Sequence, residues 1–206
     1  MTVTRPRARA GAKARRTPRE SVLAERYALF AECLLTGVWI AVASLPLVTV
    51  PAAFAAGARH LRRRTAHEGG GRREFVADFR SAVRGGWLVG VAGWAGAAAV
   101  RVDVLAVRAG IPGGPLVGAV GLLALIGGAV AMLRAAAVWE PGAAWRALLA
   151  DAGRRTVLDP AGSFLLVGGL AVVVCSAVLV APLAVPVLGA VAAAAVAVEE
   201  RRRRRR

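Results

Sequence analysis

The sequence predicts an all-α, polytopic helical membrane protein with five full spans, or six when a proline-broken first hairpin is counted, and two cytoplasmic amphipathic helices. Three observations lead there. Apolar residues make up 57% of the 206-residue chain before its 24 glycines are added, against ~45–50% with glycine included in globular proteins. The net charge is +16, from 28 Lys and Arg against 12 Asp and Glu, yet charged residues are only 19% of the chain, so the charges gather in blocks. Between those blocks lie uncharged stretches as long as the ~20 residues a membrane helix needs.

Residues 1–26 are polar and basic, with Pro6 and Pro18, and read as a disordered cytoplasmic tail that leads into an amphipathic start near Glu20. The first apolar run, Cys33 to Ala58, has 26 residues without a charge. As one helix it would reach ~39 Å against a hydrocarbon core of ~30 Å, too long for one upright span and too short for two. Pro46 and Pro51 divide it, giving a spanning helix from about Tyr27 to Leu45 and a shorter helix from Pro51, capped by Thr49, that crosses back or stays partly in the membrane.

After Gly69-Gly70-Gly71, the segment Arg72 to Arg84 places Phe75, Val76, Phe79, Ala82 and Val83 on one stripe with charges elsewhere, the pattern of an interfacial helix on a membrane surface or of a solvated loop helix packing on its own protein. A second span follows from Gly86 to Val107, carrying Arg101 and Asp103 near its far end, and a glycine-rich turn at Gly110 to Gly114 leads to a third from Leu116 to Trp139. Pro141 to Gly153 is the second amphipathic segment, with Trp145, Leu148, Leu149 and Ala152 on its apolar side. Ala161 to Val198 has 38 uncharged residues, enough for two crossings with a break at Pro182 and Pro186. The organisation is one transmembrane domain over 27–198, with basic cytoplasmic tails at 1–26 and 199–206.

Lys and Arg near short loops resist translocation, so their distribution orients the chain. With residues 1–26 folded back by a hairpin or re-entrant pair, 26 basic residues share one side and only Arg101 and Arg108 lie on the other. Both termini are therefore expected in the cytoplasm, beside an anionic inner leaflet. The terminal arginines have no interleaved aromatic residue, so they read as a lipid-facing anchor, with no nucleic-acid partner.

No chemistry is legible. Cys33 and Cys175 sit in apolar runs as packing residues; His67-Glu68 is followed by glycines where a zinc helix needs its second His; no P-loop and no nucleophile elbow occur. No catalytic residue, metal or cofactor is expected, and the chain does not read as an enzyme. Ionisable residues in or near spans, Glu32, Arg101, Asp103 and Arg134, are functional candidates by cost, although Glu32 and Arg134 lie close enough to the inner boundary to snorkel. Phe75, Phe79, Trp145 and Leu148 are the expected cytoplasmic anchors for a partner or for lipid.

The run Ser44 to Ala53, with Leu45, Pro46, Val48, Thr49, Pro51 and Ala52, followed by Glu74-Phe75-Val76-Ala77-Asp78-Phe79-Arg80, resembles the YesL-like family of bacterial integral membrane proteins. Val50 departs from it, standing where that family usually has Gly before the Pro. The family is a domain of unknown function often encoded near sugar-uptake ABC transporters. The resemblance implies an accessory or regulatory role beside carbohydrate ABC transporter subunits and assigns no site residue. A small secondary transporter or channel-like protein is the alternative, for which paired polar residues at mid-membrane depth are missing; a membrane enzyme is the third.

Overall fold

The computed structural model describes residues 18–66, 68–179 and 181–204. The expected tail over 1–17, His67 and the last two arginines lie outside them. Among the described residues the chain forms seven helices and no strand: α1 (Pro18–Ala43), α2 (Val50–Thr65), α3 (Arg72–Arg108), α4 (Gly114–Val138), α5 (Trp145–Leu158), α6 (Pro160–Leu179) and α7 (Ala181–Arg203). They fall into two units, a helical stretch ending at Ala31 and a body from Glu32 onward. Helix α1 starts at Pro18, inside the stretch expected to be disordered, because a proline in the first helical turn costs no hydrogen bond.

Three helices, α3, α4 and α6, are long and apolar enough to cross a membrane; the apolar part of α1, Phe30–Ala43, is shorter. Few residues in the apolar stretches of those three are buried, so most of their side chains face outward. In water such a surface would be untenable.

The first apolar run is divided where the prolines require. Helix α1 stops at Ala43, a turn covers Ser44 to Thr49, and α2 opens with Pro51 in its first turn, where the missing N–H is harmless. Thr49 does not cap α2 with its side chain. Its backbone is helical (φ −90°, ψ −1°), whereas a side-chain cap needs an extended residue, and its hydroxyl donates back to the Ala43 carbonyl at 2.6 Å. Leu47 takes φ 59°, the left-handed region that disfavours a branched side chain.

From Glu32 onward α1 runs antiparallel to α2. Glu32 meets Arg64 at one end, Gly57 lies against Thr36 and Ile40 in the middle, and Thr49 bonds Ala43 at the tip. The tip meets α3 halfway along. A Cβ on Gly90 would fall 1.9 Å from the Val48 carbonyl oxygen, and Gly90 is equally far in sequence from Arg72 and Arg108. The α1–α2 pair therefore ends well short of the Arg108 end of α3.

Helix α2 is the hub of the body. Pro51 to Ala58 are all buried, and the helix packs on α3, α4 and α7. Its alanines and Gly57 let those neighbours approach closely, the usual device of membrane helices. The same device recurs where a Cβ on Gly189 would strike the Cys33 carbonyl.

Three boundaries differ from expectation. The interfacial segment Arg72 to Arg84 and the second span form one continuous helix of 37 residues, ~56 Å long. Gly85 and Gly86 make no joint; a Cβ on either would press on the Trp145 indole, so they are there to seat that ring. Helix α5 begins at Trp145, because Gly142 (φ 85°) turns the chain, and it runs through Gly153, where nothing forces an end. The break in the last apolar run falls before Pro182 alone, since Pro186 is inside α7. That helix also absorbs the start of the expected basic tail, continuing to Arg203.

Candidate functional site

Charge in this protein collects at one end of the body, where the Arg72 end of α3, the last turns of α2, α4 and α7, and helix α5 come together. Two ionic clusters organise it. In the first, Glu32 receives Arg64 at 3.0 Å and His60 Nε2 at 3.3 Å, while Asp78 on α3 receives Arg59 at 3.3 Å and Arg63 at 3.0 Å. The edge of Trp39 lies 5.0 Å from His60 between ring centroids, and its other contact is Phe75 at 5.3 Å.

The second cluster is built on Arg134, which has no exposed surface. Its Nη1 donates to Glu199 Oε1 at 3.0 Å and its Nη2 to Asp159 Oδ2 at 3.0 Å, with Ser163 alongside. The other oxygen of Glu199 takes a close hydrogen bond from Arg155, which also reaches Asp151 at 3.1 Å. Four helices, α4, α5, α6 and α7, are thus tied to one guanidinium and one carboxylate. Expected to snorkel, Arg134 does not. Partners on neighbouring helices lie within reach of its fork, and a paired guanidinium tolerates burial where a lone one would not.

His60 is buried, and its Nδ1 has no hydrogen-bond partner among the described residues. The network assigns its proton to Nε2, facing Glu32. Burial lowers its pKa below the ordinary value, and the hydrogen bond and charge of Glu32 only partly oppose this. His60 is therefore a neutral donor despite facing a carboxylate. At Asp159 burial raises the pKa, but the bonds from Arg134 and from the Gly162 N–H outweigh it and hold the carboxyl below its usual range.

Two tryptophans close this end. Trp139 and Trp145 stack at 6.5 Å, Trp145 Nε1 donates to the Ala82 carbonyl at 3.1 Å, and Arg62 donates to the Trp139 carbonyl at 2.6 Å. The anchors expected to protrude consequently point inward. Phe75 is 4% exposed and Trp145 6%, while Phe79 and Leu148 are half-buried against the same core. Helix α3 turns its stripe toward Trp39 and α5 rather than toward solvent, because the body supplies an apolar partner for it.

The remaining residues singled out in the sequence are dispersed. Leu45 and Pro46 are exposed at the hairpin tip, Val48 and Thr49 close it, and Pro51 and Ala52 are buried in α2. Arg101 is exposed, Asp103 faces Gly121 on α4, and the two do not pair. Sequence reading missed the partnership of Arg134, Arg155 and Glu199. The signal available was a lone arginine in an otherwise uncharged α4 and two glutamates ahead of the arginine tail, but nothing in sequence spacing joins them across 65 residues.

Among the described residues no group of His, Cys, Asp or Glu is placed to hold a metal ion. What the arrangement does chemically is pair its buried and half-buried carboxylates with arginines of the chain. Glu32, Asp78, Asp159 and Glu199 are all engaged within the chain, while Arg72, Arg73, Arg80, Arg84, Arg146 and Arg154 remain exposed. The result is a fixed, basic face. No family model, no curated protein and no solved structure matches the chain.

Proposed function

We propose that the protein is an integral membrane component that works by contact, an accessory of a transport assembly whose cytoplasmic face binds acidic surfaces. The observation that carries this reading is the charge imbalance at this end: Glu32, Asp78, Asp159 and Glu199 are paired within the chain, and the exposed Glu68, Glu74 and Glu140 are outnumbered by the exposed Arg72, Arg73, Arg80, Arg84, Arg146 and Arg154. Fixed cations of this kind attract anionic headgroups and acidic protein surfaces. On this reading α3, α4, α6 and α7 cross the membrane and the α1–α2 pair is re-entrant. The support is the tip of that pair meeting Gly90 halfway along α3. The charged end then faces the cytoplasm together with both termini, in line with the positive-inside distribution.

The resemblance at residues 44–53 and 74–80 makes subunits of a carbohydrate ABC-type transporter the first partners to test. The experiment is co-purification of the full chain from mild detergent, with partners identified by mass spectrometry. Charge reversal at Arg72, Arg73 and Arg80 is expected to reduce recovery of the partner and to make the remainder less salt-sensitive, and to weaken attachment to an anionic leaflet by ~1 kcal/mol per charge. Unchanged recovery from that variant, with a loss from substitution at Arg108, would place the working face on the opposite side.

A further inference from the structure

The α1–α2 pair stops halfway along α3, and above its tip the facing sides of α3 and α4 are left without a third helix. A cleft of about 740 Å³ fills that position, within the ~300–1,000 Å³ typical of ligand-holding clefts. Its walls are small residues, Gly93, Gly96, Ala124 and Gly128, and its floor is Leu47, Pro51 and Leu149. From the level of Val89 to that of Asp103 it is ~21 Å long by the rise of a helix.

One charged side chain lines it. Asp103, five residues before the end of α3, turns toward α4 so closely that its Oδ2 lies 2.6 Å from where a Cβ on Gly121 would be. No described residue forms an ion pair with it. A carboxylate turned into an apolar cleft is costly without a cation.

These features select an occupant. A partner's transmembrane helix must cross ~30 Å of hydrocarbon, and the floor at Leu47 and Pro51 stands in its way. A phosphate-bearing lipid headgroup would need a basic residue in the lining, and the lining has none. A single hydrocarbon chain with an ammonium at its end meets both conditions: the chain ends inside the membrane, and the cation sits at the carboxylate. We infer that the α3–α4 cleft binds a single-chain cationic amphiphile, with its ammonium paired to Asp103 and its tail lying toward Leu47. This site is independent of whatever the basic face contacts.

The test is binding of radiolabelled dodecyltrimethylammonium to the full chain in lipid nanodiscs, measured against empty nanodiscs. Saturable binding is expected, displaced by dodecylammonium and not by dodecyl sulfate. Asp103→Asn should weaken it roughly ten-fold or more, the usual result of removing one partner of a shielded charge pair, and Asp103→Glu should retain most of it. Gly93→Leu should abolish binding without disturbing the fold, because a Cβ at Gly93 meets nothing within 4 Å. Binding no greater than to empty nanodiscs, equal displacement by dodecyl sulfate, or wild-type affinity in Asp103→Asn would each overturn the inference. So would crosslinking of a cysteine placed at Gly93 to a second copy or to another membrane helix, which would show the cleft to be a helix-docking surface.

Discussion

Arg134 on α4 and Glu199 on α7 form a salt bridge of 3.0 Å in which the arginine is wholly buried and the glutamate nearly so. It joins the end of the fourth helix to the last one, and Arg155 and Asp159 complete the charge balance around it.

Breaking that pair from one side leaves an unpaired charge in a closed site. Glu199→Gln or Arg134→Met is expected to destabilise the protein by ~3–5 kcal/mol, and Arg134→Met combined with Glu199→Met by less than the sum of the two, since the cluster then loses one charge of each sign and Arg155 and Asp159 stay in balance. Thermal unfolding in detergent by circular dichroism measures both; a double variant as unstable as the sum of the singles would deny the coupling.

The proposed re-entrant hairpin makes a labelling prediction. In a background with Cys33→Ala and Cys175→Ala, a cysteine at Gly113 should react with an impermeant thiol reagent from outside and one at Arg64 from inside, while one at Pro46 should react from neither. Labelling of position 46 from outside as readily as position 113 would mean that the hairpin crosses fully.

The hairpin tip also holds strain that can be relieved. Leu47→Gly should raise stability by up to ~1 kcal/mol, because the left-handed backbone costs a residue with a Cβ about that much and the Leu side chain is half-exposed. Gly90→Ala should lower it by ~1–3 kcal/mol, because the new methyl cannot share space with the Val48 carbonyl. Melting temperatures of the two variants, read side by side, decide this.

Phe75→Ala should act as a core deletion, costing ~3–5 kcal/mol of stability, because the ring is buried against Trp39. Loss of a partner at wild-type stability is the outcome that would restore it to the surface.

His60 gives the protein an acid-side sensitivity. Its pKa is lower in the folded state than in the unfolded one, so its contribution is fully present above the unfolded value of ~6.5 and is lost as pH falls from there toward the folded value. Protonation would place an N–H at Nδ1 with no acceptor among the described residues. Melting temperature should decline below that pH in the wild type and decline less in His60→Gln; parallel profiles would remove His60 as the cause.

Composition and periodicity determined that this chain is helical and built for a bilayer, because hydrophobic length and charge segregation are properties of consecutive residues. The positions of Pro46 and Pro51 determined the first break for the same reason: a proline acts on its own turn of helix. Tertiary structure decided what depends on the distance between remote segments. The segment Arg72 to Arg84 and the span from Gly86 read locally as separate elements, yet Trp145, sixty residues on from Gly85, packs over the two glycines between them and the helix runs through. The stripe at Phe75 and Phe79 fits equally a membrane surface or packing on the chain's own body, and the folded body decides it by supplying Trp39 and α5. Arg134 reads as a snorkelling cation, and Glu199 and Asp159 make it a buried one. Local sequence sets what a residue would do alone in lipid; pairing across helices changes the cost of burying it, and only the folded arrangement contains the pair.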